Sequence, residues 1–257
     1  FMKVVILAGG KGLRLSEKTK NIPKPLVEID NKPIIEHIIS YFNKFDLNDF
    51  YIMLGYKSNL IKSFFVDYYN NNSDIKIDYN NNKIEIVKKK KINWKVTLIE
   101  SGLNSMTGGR LKYFKKYLND DEEFLLTYSD ALSDLDINKF LNNHKKNNYK
   151  NSLVLSKLKA RFGKADIDSK NKLIKGFYEK NDNLEPLINS GYYIFNKNIF
   201  NYIKKDSCVL ESDVLPKLAK SKSLNYYEHK GFWQPMDNIR ERDLLEAYIK
   251  NNYKFLK

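Results

Sequence analysis

The stretch Val4–Pro25, VVILAGGKGLRLSEKTKNIPKP, constrains this chain more than any other. Val4, Val5, Ile6, Leu7 and Ala8 form an apolar run without polar alternation, the pattern of a strand buried on both faces of a parallel sheet. The run breaks into Gly9, Gly10 and Gly12, with Lys11 among them and Arg14 just after. Glycine-rich backbone at the carboxyl end of such a strand presents N–H groups to an anion. Arg14 and Lys24, aimed into the same space, suit a polyphosphate. Lys24 stands between Pro23 and Pro25, whose rings restrict the neighbouring backbone and hold the lysine in place. A Walker loop would need Gly-Lys-Ser/Thr, and a dinucleotide fingerprint a glycine where Leu15 stands; the chain has neither. A nucleotide-handling loop of another kind is expected.

Beyond Pro25 the chain reads as a doubly wound sheet. Leu26 to Ile29 is strand-like and ends in the turn Asp30-Asn31, after which Pro33 opens a helix with Ile34, Ile35, Ile38, Ile39 and Phe42 at helical spacing. Phe50–Leu54 is a second strand and Ser58–Tyr69 a second helix, the opening of an α/β fold. Ile75–Tyr79 and Lys83–Lys88 alternate apolar and polar around Asn80-Asn81-Asn82, which predicts a projecting β-hairpin. Its tip lacks the material for a core of its own and suits an interface.

Lys95–Glu100 and Glu123–Tyr128 are further strands, with the loop Ser105-Met106-Thr107-Gly108-Gly109-Arg110 and a helix to about Leu118 between them. Asp136 starts a helix with Ile137, Phe140, Leu141 and His144 on one face. From Asn151 onward strands are expected at Ser152–Lys157, Ala165–Ile167, Leu173–Glu179 and Leu187–Phe195. Helices come next near Lys197–Ile203 and Glu211–Ala219, then the segment Leu224–Glu228 and a last amphipathic helix carrying Leu244, Leu245 and Tyr248.

A length of 257 residues with 42% hydrophobic and 14% aromatic content supplies a substantial core. No apolar stretch approaches the roughly 20 residues of a membrane helix, and no leader precedes the first strand, so neither membrane nor export is expected. Cys208 is the single cysteine, which excludes internal disulfides and thiolate clusters and makes the cytoplasm the expected setting. A net charge of +14 would suit nucleic acid, but stretches such as NNHKKNNYKN read as solvated surface, and no nucleic-acid module is visible. The basic surface would also gather anionic small substrates.

Asp130 lies just past the carboxyl end of an apolar strand, facing the crevice where α/β sheets bind ligands. There it can serve as a Mg²⁺ ligand, or as an ordinary turn or cap aspartate. Asp134 reads as helix-start chemistry, and Asp237, after Trp233-Gln234-Pro235-Met236, is equally open by itself. His37 and His229 have no evident partner, and no catalytic Ser-His-Asp order is present.

Taken together, LAGGKGLRLSE, PKPLVEI, KPI, LGYK, WKVTLIESG, SMTGGR, TYSDALSD, RFG, EK, LINSGYYIF and HKGFWQPMD resemble the sugar-phosphate nucleotidylyltransferases, specifically the glucose-1-phosphate cytidylyltransferases. The resemblance covers nearly the whole chain, and WKVTL, SMTGGRLK and GFWQPMD are its most particular parts. It implies an α/β fold with a Rossmann-like, mixed but mostly parallel sheet flanked by helices, the projecting hairpin, and a smaller C-terminal sugar-binding portion. The chain would be one nucleotidyltransferase domain over residues 1–257, with about 2–150 taking the nucleotide and about 151–257 the acceptor.

The resemblance further implies Mg²⁺, transfer of CMP from CTP to a sugar phosphate, release of pyrophosphate, and assembly into a homo-oligomer. Carried over by position, Leu7, Ala8, Gly9, Gly10, Lys11, Gly12, Leu13 and Arg14 would wrap the triphosphate and ribose. Arg14, Lys24 and Asp130 would be catalytic, and Asp130 and Asp237 would hold the metal. Ser105, Arg110 and Ser129 would lie against the nucleotide, while Arg161, Glu179, Lys180, Asn189 and Gly191 would meet the acceptor. Relatives usually carry threonine at Leu13, a small apolar residue at Lys11, glycine at Ser129 and proline at Asn181. These departures spare the metal ligands and the cationic clamp but open the acceptor to another sugar phosphate or a polyol phosphate. The same transfer with UTP or dTTP, and a nucleotide- or RNA-binding protein built on this fold, are the alternatives.

Overall fold

Strand β1 (Lys3–Leu7) sits in the middle of the molecule because alternate residues feed two different cores. Val4 and Ile6 join one apolar cluster and Val5 and Leu7 another, all buried. The computed structural model describes residues 2–12, 15, 19–88, 92–157, 164–178 and 186–252.

Among the described residues seven strands form the central sheet. After β1 come the short strands β2 (Glu28–Ile29) and β3 (Lys32–Pro33), which pair with each other, then helix α1 (Ile34–Asn43), β4 (Asp49–Leu54) and α2 (Ser58–Asn71). Strands β5 (Asp74–Asp78) and β6 (Lys83–Lys88) make the expected hairpin, with Ile75 opposite Ile86 and Ile77 opposite Ile84. Next are β7 (Lys95–Glu100), α3 (Thr107–Lys112), β8 (Glu123–Tyr128), β9 (Ala131–Ser133), α4 (Ile137–Lys146) and β10 (Asn151–Lys157). The rest comprises β11 (Lys164–Asp168), β12 (Leu173–Tyr178), β13 (Leu187–Asn196), α5 (Leu215–Lys220), β14 (Asn225–His229), β15 (Trp233–Pro235) and α6 (Ile239–Asn251).

Across the sheet the order is β14-β10-β13-β8-β1-β4-β7. All neighbours pair in parallel except around β13, which runs antiparallel to both β8 and β10. The fold is thus the expected mixed, mostly parallel sheet with helices on both faces. Apolar residues of α1, α2, α4 and α6 pack on the Val4/Ile6 side, and those of α3 and α5 on the Val5/Leu7 side. Chain order reverses at β1, whose neighbours β4 and β8 lead off in opposite directions, and the crevice at their carboxyl ends is where such sheets bind ligands.

Several local expectations change. The helix expected to run to Leu118 ends at Lys112 and resumes as a 3₁₀ turn over Lys115–Tyr117. Residues 197–203 fold as a 3₁₀ helix over Lys197–Asn201. The helix expected from Glu211 begins as a π-helical turn, Leu210–Val214, before α5. Asp136 caps α4 by accepting from Lys139 N, so Asp134 is not the helix starter. The strands β11 and β12 pair as a second projecting hairpin, which leaves Ile167, Ile174 and Phe177 exposed.

Candidate active site

A cavity of about 520 Å³ opens at the point where the chain order reverses, lined by Leu7 to Gly12, Lys24, Ser105, Thr107, Arg110, Tyr128, Ser129 and Asp130 among others. The loop after β1 therefore faces the end of β8 across the cavity. Gly12 has φ of +60°, the left-handed region that favours glycine, and its carbonyl accepts from Leu15 N and from Thr19 Oγ1, each at 3.0 Å. Thr19 thus anchors the loop, a contribution no sequence motif announces.

Lys24 opens a 3₁₀ turn, Lys24–Leu26, whose geometry the flanking prolines favour, and its side chain is buried. Its Nζ donates to Asp130 Oδ2 at 2.7 Å and to Asp237 Oδ1 at 2.8 Å. Burial alone would lower the lysine's pKa; the two carboxylates outweigh it and hold the pKa above its ordinary value.

The meeting of Asp130 with Asp237 has a backbone cause. Strand β15 pairs antiparallel with β9, Pro235 against Ala131 and Gln234 against Leu132, and Met236 N then donates to Asp130 O at 2.8 Å. Trp233 ties the same ribbon to β13 by donating from Nε1 to Ser190 O at 2.8 Å. Just beyond, Asn238 caps α6 by accepting from Glu241 N at 3.0 Å, while Glu241 Oε2 accepts from Asp237 N at 2.7 Å. Both acids are consequently held by their main chains.

Two carboxylates within hydrogen-bond reach of one ammonium are a hard-oxygen pair converging on a single point. That donor set fits a divalent cation that takes one or two carboxylates and completes its shell with phosphate oxygens and water. Among the described residues no cluster of three or more His, Cys, Asp or Glu side chains could hold a metal alone, so ligand oxygens would have to complete the shell.

Arg110 lines the cavity but spends its donors on the protein. Nη1 donates to Leu54 O at 3.1 Å, Ser101 Oγ at 3.1 Å and Gly102 O at 2.7 Å, and Nη2 to Leu103 O at 3.2 Å. It pins the ends of β4 and β7 beneath the Gly loop, and burial lowers its pKa. A Cβ on Gly9 would lie 2.2 Å from Nη1, so glycine at this position makes room for the guanidinium. Ser129 is also turned into the protein, its Oγ donating to Leu7 O at 2.9 Å. Ser105 is buried in the cavity wall.

The SMTGGR loop owes its shape to a distant segment. Met106 N donates to Asp206 O at 2.8 Å and Gly109 N to Cys208 O at 3.0 Å. A Cβ on Gly109 would stand 1.9 Å from Asp206 O, so this glycine is needed for backbone contact. Of the residues expected to meet the acceptor, Asn189 accepts through Oδ1 from Gly191 N at 3.0 Å, and Gly191 packs on the ring of the cavity residue Tyr128. Leu13, Arg14, Arg161, Glu179 and Lys180 lie outside the described residues. Thr107 and Tyr128 lie in the SMTGGR and TYSDALSD motifs without being expected as site residues, and both line the cavity; Glu211, in no motif, bonds to both of them behind it.

The histidines resolve into structural partners. His37 Nε2 lies 2.7 Å from Ile29 O, and His144 lies between Ser152 Oγ at 2.8 Å and Glu123 Oε1 at 3.0 Å. His229, expected to stand alone, has Nε2 3.0 Å from Asp134 Oδ1 and 3.0 Å from Phe232 O. Two acceptors on one ring nitrogen mean that Nε2 carries the proton.

A glycine-rich loop, a buried lysine and a carboxylate pair stand at the reversal of a mostly parallel sheet, and the nucleotidyl transferase family profile matches residues 3–247. The chain belongs to that family. Within it, the chain is 41% identical over 246 residues to the glucose-1-phosphate cytidylyltransferase of Salmonella typhi, covering 96% of this chain and 95% of that one. A probable glucose-1-phosphate cytidylyltransferase of Bacillus subtilis is 34% identical over 247 residues, at 96% and 94% coverage. Among solved structures, HddC from Yersinia pseudotuberculosis complexed with GMP-PN superposes with a TM-score of 0.70 at 25% identity, covering 97% of this chain and 100% of that one. The two cytidylyltransferase relatives place the chain in the glucose-1-phosphate cytidylyltransferase branch. Among the described residues no helix is long and apolar enough to cross a membrane.

Proposed function

We propose that the chain transfers the cytidylyl group of CTP to a phosphorylated sugar of the glucose 1-phosphate type, releasing pyrophosphate. The observation that carries the reading is the convergence of Asp130 and Asp237 on Lys24 Nζ, at 2.7 and 2.8 Å, beside the glycine loop. Family membership and the cytidylyltransferase relatives support the same chemistry.

A phosphate oxygen of the acceptor attacks the α-phosphorus of CTP, and the bond from that phosphorus to the α,β-bridging oxygen breaks, its electron pair leaving with pyrophosphate. The nucleophile is already anionic, so no general base is required, and positioning with charge neutralisation carries the catalysis. Mg²⁺, held by Asp130 and Asp237, would supply Lewis-acid neutralisation of the phosphate oxygens. Lys24 is placed to neutralise the same charge, and Leu7 to Gly12 to wrap the triphosphate. Arg110 supports that loop from below. Residues about 2–150 serve the nucleotide, and Asn189 and Gly191, beside Tyr128, open the acceptor side. The decisive experiment is a matrix of four nucleotides against sugar and polyol phosphates, read by pyrophosphate release with and without Mg²⁺. Release with CTP and a hexose 1-phosphate is expected. A preference for UTP or dTTP, or nucleotide binding without turnover, overturns the reading.

The protein assembles into a homo-oligomer through its exposed apolar hairpin β5–β6, where Tyr79 is 82% and Ile84 62% exposed. Light scattering reads this directly: Ile84→Lys should lower the assembled mass, and a monomeric parent chain defeats the idea.

A further inference from the structure

We propose that Glu211 is a positioning residue of the transfer, holding the nucleotide-side loop and the strand end that leads to Asp130 in one fixed relation. The inference rests on reading the cavity as the nucleotide site. Glu211 lies in the π-helical turn Leu210–Val214, a geometry found often at functional sites. Its Oε2 accepts from Thr107 Oγ1 at 2.7 Å and its Oε1 accepts from the Tyr128 hydroxyl. Thr107 and Tyr128 both line the cavity, and Thr107 Oγ1 in turn accepts from Leu210 N at 2.8 Å. Tyr128 ends β8, two residues before Asp130.

The network continues toward the acceptor side. The hydroxyls of Tyr128 and Tyr193 are 3.3 Å apart, and Asn189 Nδ2 donates to Tyr193 at 2.6 Å. Burial, then the neighbouring Tyr193 and Glu211, drive the Tyr128 phenol well above its ordinary pKa, so it stays protonated and remains a donor. Glu211 forms no ion pair among the described residues; both of its oxygens are given to hydroxyls. A carboxylate so placed fixes geometry: it is bonded both to the SMTGGR loop and to the strand that delivers Asp130.

The test begins with calorimetric binding of CTP, UTP, GTP and ATP to the intact chain; if none binds, the reading of the cavity fails, and the role of Glu211 falls with it for that separate reason. With the nucleotide that binds, Glu211→Ala should weaken affinity about tenfold or more and lower kcat as well. Glu211→Gln, whose carbonyl and amide can each meet one hydroxyl, should stay within about threefold of the parent. Thr107→Val and Tyr128→Phe should each cost part of the loss, and neither should add to it in combination with Glu211→Ala. Parent-like binding and turnover in Glu211→Ala, a Glu211→Gln variant as impaired as the alanine, or losses that simply multiply would overturn the proposal. Should Glu211→Ala fail to fold, the cycle of Thr107→Val with Tyr128→Phe decides alone. The two hydroxyls share one carboxylate, so coupled losses support the proposal and independent losses overturn it.

Discussion

Lys24 and Asp130 meet at 2.7 Å, Nζ to Oδ2, although 106 residues separate them in the chain. The same ammonium holds Asp237 Oδ1 at 2.8 Å, a separation of 213 residues. One buried cation thus joins three distant parts of the chain at the place where the proposed mechanism neutralises phosphate charge. Removing such a preorganised group costs on the order of 3 kcal/mol of transition-state stabilisation. Lys24→Ala and Asp130→Asn should therefore each reduce pyrophosphate release from CTP by about a hundredfold or more. Near-parent rates in either variant would exclude the mechanism.

The same pairing makes an alkaline prediction. The two carboxylates raise the folded pKa of Lys24 above its ordinary 10.5 despite the opposing effect of burial. A group raised on folding contributes stability fully below its unfolded pKa and loses it as pH rises through the folded one. In urea unfolding, the stability gap between the parent and Lys24→Met should be constant up to about pH 10.5 and narrow above it. A gap that stays constant through that range contradicts the sign.

How far the sequence speaks for this site depends on where the forces lie. Val4 to Leu7 and Phe50 to Leu54 are legible because burial on both faces makes each a continuous apolar run, and the Ile34–Phe42 helix because its apolar residues recur at helical spacing. Lys24 is legible because two prolines flank it. Glu211 and its bond to Tyr128 are not, because an acid outside every motif acquires meaning only when residues 206–211 pack on α3. The strand Trp233–Pro235 is equally hidden: three residues long, it is defined by its partner Ala131–Ser133 rather than by any pattern of its own. Arg110 is legible as a site residue, but its four bonds to the protein's own oxygens give it a supporting place that spacing alone does not convey.

Two glycines of the motifs should respond unequally to an added methyl. A Cβ on Gly109 would lie 1.9 Å from Asp206 O, a backbone atom held by Met106 N, so Gly109→Ala must push two main chains apart. Overpacking of this kind costs about 1–3 kcal/mol. A Cβ on Gly10 meets nothing within 4 Å, so Gly10→Ala should leave the urea midpoint unchanged. Equal midpoints for the two variants would remove the packing account of the SMTGGR loop.

The last prediction concerns acid. Asp134 is held below its ordinary carboxylate pKa: partial burial opposes this, and the bonds from His229, Phe232 and Tyr248 prevail. Those bonds place His229 Nε2 at 3.0 Å from Oδ1 and the Tyr248 hydroxyl at 3.2 Å from Oδ2. Asp134 also donates its backbone N–H to Phe232 O at 3.1 Å, next to the β9–β15 pairing that presents Asp130 and Asp237. A carboxylate depressed on folding contributes stability above its unfolded pKa and loses it as pH falls through the folded one. Asp134→Asn should consequently be less stable than the parent at neutral pH, with the gap closing below about pH 3.8. Because the carboxylate is partly exposed, the gap should also shrink with added salt. Denaturation of both proteins across that acid range, at low and high ionic strength, measures each effect; a gap indifferent to pH would mean that Asp134 acts by shape and not by charge.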